Sequence, residues 1–144
     1  MSYVTVVDAQ LYFDKRLNTA AWDTSDEQLK ALENATLIID RLAFKGSRTE
    51  ESQDNEFPRD GDTTVPTEIQ YATAEIALAL LDGVDPEIEY SNLNMLSQSY
   101  SNVRSSYDRS IPQPHILAGI PSAAAWRLLL PYLVTADTIS LYRI

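Results

Sequence analysis

The chain reads as a mainly α protein, a small bundle of about four helices. To this it adds a long acidic loop, an extended or hairpin excursion and an extended C-terminal arm. Three observations predict that class. Residues 24–44 carry a helical apolar period, residues 65–82 are apolar almost all round a helical wheel, and residues 84–110 are poor in helix formers.

Thr5 is placed to cap a first helix, with Asp8 in the capping-box position. Val7, Leu11 and Leu17 are its apolar positions, and Tyr12 and Phe13 add aromatic bulk. Its end is expected near Leu17 or Asn18, where Lys15 and Arg16 suit the negative end of the helix dipole. Asn18 to Asp23 reads as a loop in which Trp22 anchors the core.

Thr24 with Glu27 reads as a second capping box, opening the helix around which the bundle is expected to form. At about 100° per residue, Leu29, Ala31, Leu32, Ala35, Thr36, Ile38, Ile39, Leu42 and Ala43 share one half of the wheel. A face that wide needs more than one neighbour. Leu37 and Phe44 stand on the charged side, seven residues apart. Either a loop or the next helix covers them, or they contact another chain.

Lys45-Gly46 closes this helix, and Ser47 to Thr64 shows neither period. A loop of this length in a compact domain is usually functional or mobile. Phe57 is expected to tuck onto the bundle and Arg59 to reach an acid. Val65-Pro66 opens the third helix, which runs to about Asp82 before Gly83. Glu68, Glu75 and Asp82 form its only polar stripe. Glu75 is expected either at the surface or paired with a base such as Arg41 or Arg59, since a lone buried carboxylate is costly.

Val84 to Ser110 reads as the excursion, with Tyr100, Val103 and Tyr107 as its hydrophobic points. Ile111 to Pro114 is held extended by proline. A fourth helix is expected from Ile120 to Leu133, with Pro121 in its first turn and Pro131 kinking it or cutting it short. Ile139, Leu141 and Ile144 then alternate in the tail. That tail suits strand addition to another protein, a disordered end, or pairing with the 84–110 segment. The whole chain makes one domain, with a helical core over about 5–83 and 120–133 and an arm over 134–144.

Composition narrows the chemistry. The chain has no cysteine and one histidine, His115, which excludes disulfides, thiolate metal sites and multi-histidine sites. Four glycines form no phosphate loop, and neither G-x-S-x-G nor HExxH is present, so no enzyme and no cofactor are expected. The acidic 50–62 segment lacks the ligand spacing of a calcium loop. No signal peptide is visible, and the longest aliphatic run, Ile76 to Leu81, is too short to span a bilayer. The net charge is −10, concentrated in residues 1–89, which hold 19 acids and 7 bases. Tight nucleic-acid binding needs a basic face, and an acidic body opposes it.

The ordered motifs resemble those of the tailed-phage head–tail connector, or adaptor, proteins, some of which are described as DnaT-like single-stranded-DNA-binding proteins. The string is Tyr12-Phe13, Arg16-Leu17, Trp22, Ala31-Leu32, Ala35-Thr36, Ile39-Asp40-Arg41-Leu42, Phe44-Lys45-Gly46, Phe57-Pro58-Arg59, and Val65-Pro66 with Ile69, Ala72, Glu75 and Ala77. It covers roughly residues 3–82, and Phe57 stands where family members often have tryptophan.

The resemblance implies a virion protein of the phage neck, assembled in the host cytoplasm and associated with no membrane. It would form a ring, commonly of twelve copies, between the portal and the next tail or neck protein. Double-stranded DNA would pass through without specific binding. On this reading Tyr132, Leu133, Val134, Ile139, Leu141, Tyr142 and Ile144 belong to a portal-docking arm. Leu37, Phe44, Tyr100, Val103 and Tyr107 lie between subunits, and Glu68 and Glu75 face the channel. The alternative the resemblance carries is a single-stranded-DNA-binding DnaT-like module.

Overall fold

A computed structural model describes residues 2–92 and 114–134. Seven helices and no strand longer than an isolated bridge occur among these residues, the helical-bundle class that the sequence predicts. The helices are α1 (Val6–Phe13), α2 (Ala20–Asp23), α3 (Gln28–Asp40), α4 (Thr67–Leu81), α5 (86–92), α6 (Pro114–Leu117) and α7 (Ala123–Leu129). A 3₁₀ turn, Leu130–Tyr132, follows α7.

The central helix is α4 rather than α3. It packs chiefly against α3 and α7, and also against α1 and α2. Its wheel explains why: Ile69, Ala72, Thr73, Ala74, Glu75, Ile76, Ala77 and Leu78 are all buried. Small alanines let several neighbours approach one helix, and Thr73 returns its hydroxyl to the Ile69 carbonyl at 2.8 Å. Gly83, at φ +92°, turns the chain out of the helix as its position predicts.

Around α4 several boundaries differ from the sequence reading. Thr5 caps α1 as expected, its hydroxyl accepting from the Asp8 N–H at 3.1 Å. The helix stops at Phe13, however, so Lys15 and Arg16 lie in the turn beyond it. Ala9 and Phe13 face the core, whereas Val7, Leu11 and Leu17 are exposed. Trp22 sits on the single-turn α2 and is fully buried, its ring 4.7 Å from Phe13 and its N–H donating to Gln10 at 2.8 Å. The Thr24–Glu27 capping box does not form. Thr24 donates instead to the Ala20 carbonyl, ending α2, and α3 begins at Gln28.

Ala31, Leu32, Ala35, Thr36 and Ile39 form the buried face of α3, and Leu29 is turned outward. The helix ends at Asp40, and the chain continues to Phe44, which pairs with Leu133 in an isolated antiparallel bridge. The Lys45 N–H donates to the Tyr132 carbonyl at 2.8 Å, and the Val134 N–H to the Ala43 carbonyl at 3.1 Å. This bridge ties the end of the described chain to its middle.

Residues 47–64 form an ordered loop. Arg48 and Arg59 bridge across it, and Phe57 is buried among Tyr3, Phe44 and Tyr132. The excursion expected from Val84 begins as a helix over 86–92, since Asp85 accepts from the Glu87 N–H and starts a turn. Ser122 caps α7 by accepting from the Ala125 N–H at 3.2 Å, and Pro131 ends the regular helix in the 3₁₀ turn. Tyr100, Val103, Tyr107, Ile139, Leu141, Tyr142 and Ile144 lie outside the described residues.

Candidate functional site

The C-terminal end of α1 and the middle of α4 converge on one carboxylate. Glu75 is 3% exposed. Its Oε2 accepts from Arg16 Nε at 2.6 Å and from the Tyr12 hydroxyl. The sequence left this acid either at the surface or paired with a base such as Arg41 or Arg59. The partner is Arg16, because α1 ends early enough for the next turn to swing its guanidinium over α4. The Arg16 N–H donates once more, to the Leu17 carbonyl at 2.6 Å. The three groups leave Glu75 compensated but hold no nucleophile, and their geometry is that of a clamp between α1 and α4.

Outside the clamp, Tyr12 stacks on Tyr71, ring centroids 4.5 Å apart. The two rings floor a hollow of about 590 Å³ whose wall includes Leu11, Lys15, Arg16 and Gln70. Leu11 is 59% exposed and Tyr71 40%. Val7 lies one turn before Leu11 and is exposed as well, so this edge of the bundle is apolar with a base at its end.

A second exposed row runs along the outer face of α3: Leu29, Glu33 and Leu37, one residue per turn. Leu37 is 58% exposed, so neither a loop nor a helix among the described residues covers it. Phe44 is the opposite case. It is 8% exposed and buried by Phe57 and Leu133, and so it is unavailable to a neighbouring subunit.

The same correction applies to other predicted positions. Leu133 is core, Tyr132 donates its hydroxyl to Glu68 at 3.0 Å, and only Val134 of the described arm residues is exposed. Glu75 cannot line a channel from inside the clamp, whereas Glu68 is exposed.

Of the eight described bases, Arg16, Arg48 and Arg59 are spent on ion pairs within the chain, to Glu75, to Glu56 and to Glu56 respectively. No group of three or more histidine, cysteine or acidic side chains is placed to hold a metal among the described residues. No described helix is long and apolar enough to cross a membrane.

The family model described as "Putative DnaT-like ssDNA binding protein" matches residues 1–122. The chain belongs to this DnaT-like family. No curated protein and no solved structure matches the chain. The match spans the bundle as far as the cap of α7. It supports the single-stranded-DNA alternative more directly than the head–tail connector reading.

Among the described residues of this DnaT-like chain three phenols donate to carboxylates: Tyr3 to Asp40, Tyr12 to Glu75 and Tyr132 to Glu68. Burial, and then the hydrogen-bonded carboxylate, pushes each of these phenols above the ordinary tyrosine value. Burial also pushes the Asp40 carboxyl up, against the pull of the Tyr3 hydroxyl.

A phenol raised in the fold contributes stability that is whole below the ordinary value near 10 and is lost as pH climbs through the raised one. Stability is therefore expected to fall steeply above about pH 10. Tyrosinate absorbance should show Tyr3 and Tyr12 ionising only together with loss of the helical circular dichroism. Ionisation of both before any loss of helix would contradict the hydrogen bonds.

Proposed function

We propose that this DnaT-like chain is a structural protein of the phage neck. It forms a ring below the portal, joins capsid to tail and continues the DNA channel without gripping DNA. One observation carries the reading. The body is strongly acidic, its arginines are partly consumed in internal pairs, and its spare surface is apolar on two helix edges. Such a surface suits contact with protein rather than with a polyanion. The motif order of residues 3–82 supports the neck assignment by resemblance. Glu68, exposed near the start of α4, remains the acid suited to the channel wall.

The test is the mass of the full chain with and without portal protein. A portal-bound ring is expected, and deletion of residues 135–144 should abolish attachment while the chain stays folded. Undiminished attachment after the deletion would remove the arm from the mechanism, and no attachment by the full chain would remove the neck reading.

A second reading, single-stranded-DNA binding, is favoured by the family description and by one local feature. Tyr71 presents an aromatic face beside Lys15, the pairing on which a base can stack and a phosphate be neutralised. Fluorescence anisotropy with a labelled poly-dT oligonucleotide separates the two readings. Tight binding that weakens steeply between low and physiological salt, and that Tyr71→Ala reduces at least tenfold, would establish the second reading. Absence of binding would leave the first.

A further inference from the structure

Two exposed edges of the bundle remain without a partner among the described residues. On one, Val7 and Leu11 stand a turn apart on α1, Leu11 shares a hollow with Asp8 and with Tyr71 of α4, and Lys15 closes the end. On the other, Glu33 stands between Leu29 and Leu37 on α3. Neither Lys15 nor Glu33 is in an ion pair among the described residues. Both edges belong to rigid helices whose opposite faces are locked into the core: Ala9 and Phe13 on α1, Leu32, Ala35 and Ile39 on α3.

We infer that the α3 edge of one copy of this chain docks on the α1 edge of a second copy, with Glu33 meeting Lys15. The occupant follows from charge. Each copy carries −10, so two copies repel over most of their surfaces. Contact is favourable where an apolar strip ending in a free base meets an apolar strip centred on a free acid. The two strips supply that pair.

The strips are different surfaces of the same chain, so the contact is heterologous. Every copy offers one edge of each kind, and a chain of such contacts either closes into a ring or continues as a filament. An isologous pair would have to make the contact twice about one two-fold axis and would stop at a dimer, whereas like strips set together would put base on base or acid on acid. The apolar area in each contact is small for a stable dimer, so isolated pairs hold weakly. A closed ring, in which each copy uses both edges, holds its members together. This inference rests on the ring-forming reading above and names the surfaces that build the ring.

The absence of cysteine from the chain makes the test clean. Leu11→Cys and Leu37→Cys are combined in the full-length protein, which is oxidised at high concentration and run without reductant. A ladder of dimers, trimers and higher species is expected from the double variant. Each single variant should give only traces of dimer, and an equimolar mixture of the two should give dimer.

Lys15→Glu should reduce the ladder at least fivefold when added to the double variant, and Lys15→Glu with Glu33→Lys should restore it. All these positions are exposed, and an unchanged circular dichroism spectrum checks the fold. Strong dimers from a single variant would mean an isologous contact and overturn the inference. A double variant that closes only within its own chain, or does not cross-link, would overturn it as well. The ladder is read without portal, so its failure is distinct from failure of the neck reading, which is scored by portal attachment.

Discussion

Replacing Arg59 with alanine is expected to cost about 3 to 5 kcal/mol of stability, a large share of what holds a domain of this size together. Arg59 is the hub of the 47–64 loop. Its guanidinium donates to the Lys45 carbonyl at 3.0 Å and the Gly46 carbonyl at 2.7 Å. It also donates to both the carbonyl and the carboxylate of Glu56, at 3.2 and 3.0 Å. The same group lies near the rings of Phe44 and Phe57. Alanine would leave these part-buried carbonyls without their common donor, and each acceptor shut away from water carries a desolvation penalty.

Arg59→Lys should recover little, because an ammonium has no planar fork with which to span several carbonyls at once. Urea denaturation at neutral pH measures both variants. A loss under about 1 kcal/mol for Arg59→Ala would show that the loop is held by Phe57 alone.

That loop shows what the residues made legible and what they did not. Phe57 and Arg59 are the apolar and cationic points in an acidic stretch, so their packing could be anticipated from composition. The destination of Arg59 could not, since its main partners are backbone carbonyls, which carry no side-chain signature.

The apolar period of α3 was readable except at Leu29 and, past the end of the helix, at Ala43, and the reason is local. A helix gripped mainly by one partner buries a narrow stripe, and α4 rather than α3 turned out to be the helix gripped from several sides. The wheel of residues 67–81, apolar almost all round, was the signal for that role. The Arg16–Glu75 pair escaped because it joins residues 59 positions apart, across a helix end that fell earlier than the basic residues suggested. Of the two readings of Phe44, covered by its own chain or in contact with another, the first holds. Once the helix stops at Asp40, Phe44 sits on an extended segment and faces inward.

The second large effect is expected at the clamp, and it is asymmetric. Arg16→Met should cost about 3 kcal/mol, because it leaves the Glu75 carboxylate buried with only a phenol for company. Glu75→Gln should cost less, about 1 kcal/mol. Its amide oxygen can still accept from Tyr12, and the Arg16 side chain, 32% exposed, can turn to solvent. The double variant Arg16→Met with Glu75→Gln should cost about 2 kcal/mol, well below the sum of the two single losses, a coupling of about 2 kcal/mol in urea denaturation. Strict additivity would mean that the pair does not interact in solution.

The clamp also has a reach beyond stability. Tyr12 joins Glu75 on one side and stacks on Tyr71 on the other, so the buried pair fixes the α1 edge that carries Leu11 and Lys15. If copies of the chain meet through that edge, Arg16→Met should weaken their association as well, even at temperatures where the variant is fully folded. Glu75→Gln, which keeps the Tyr12 contact, should leave the association nearly intact. Equal effects of the two variants on association would separate the clamp from the edge it borders.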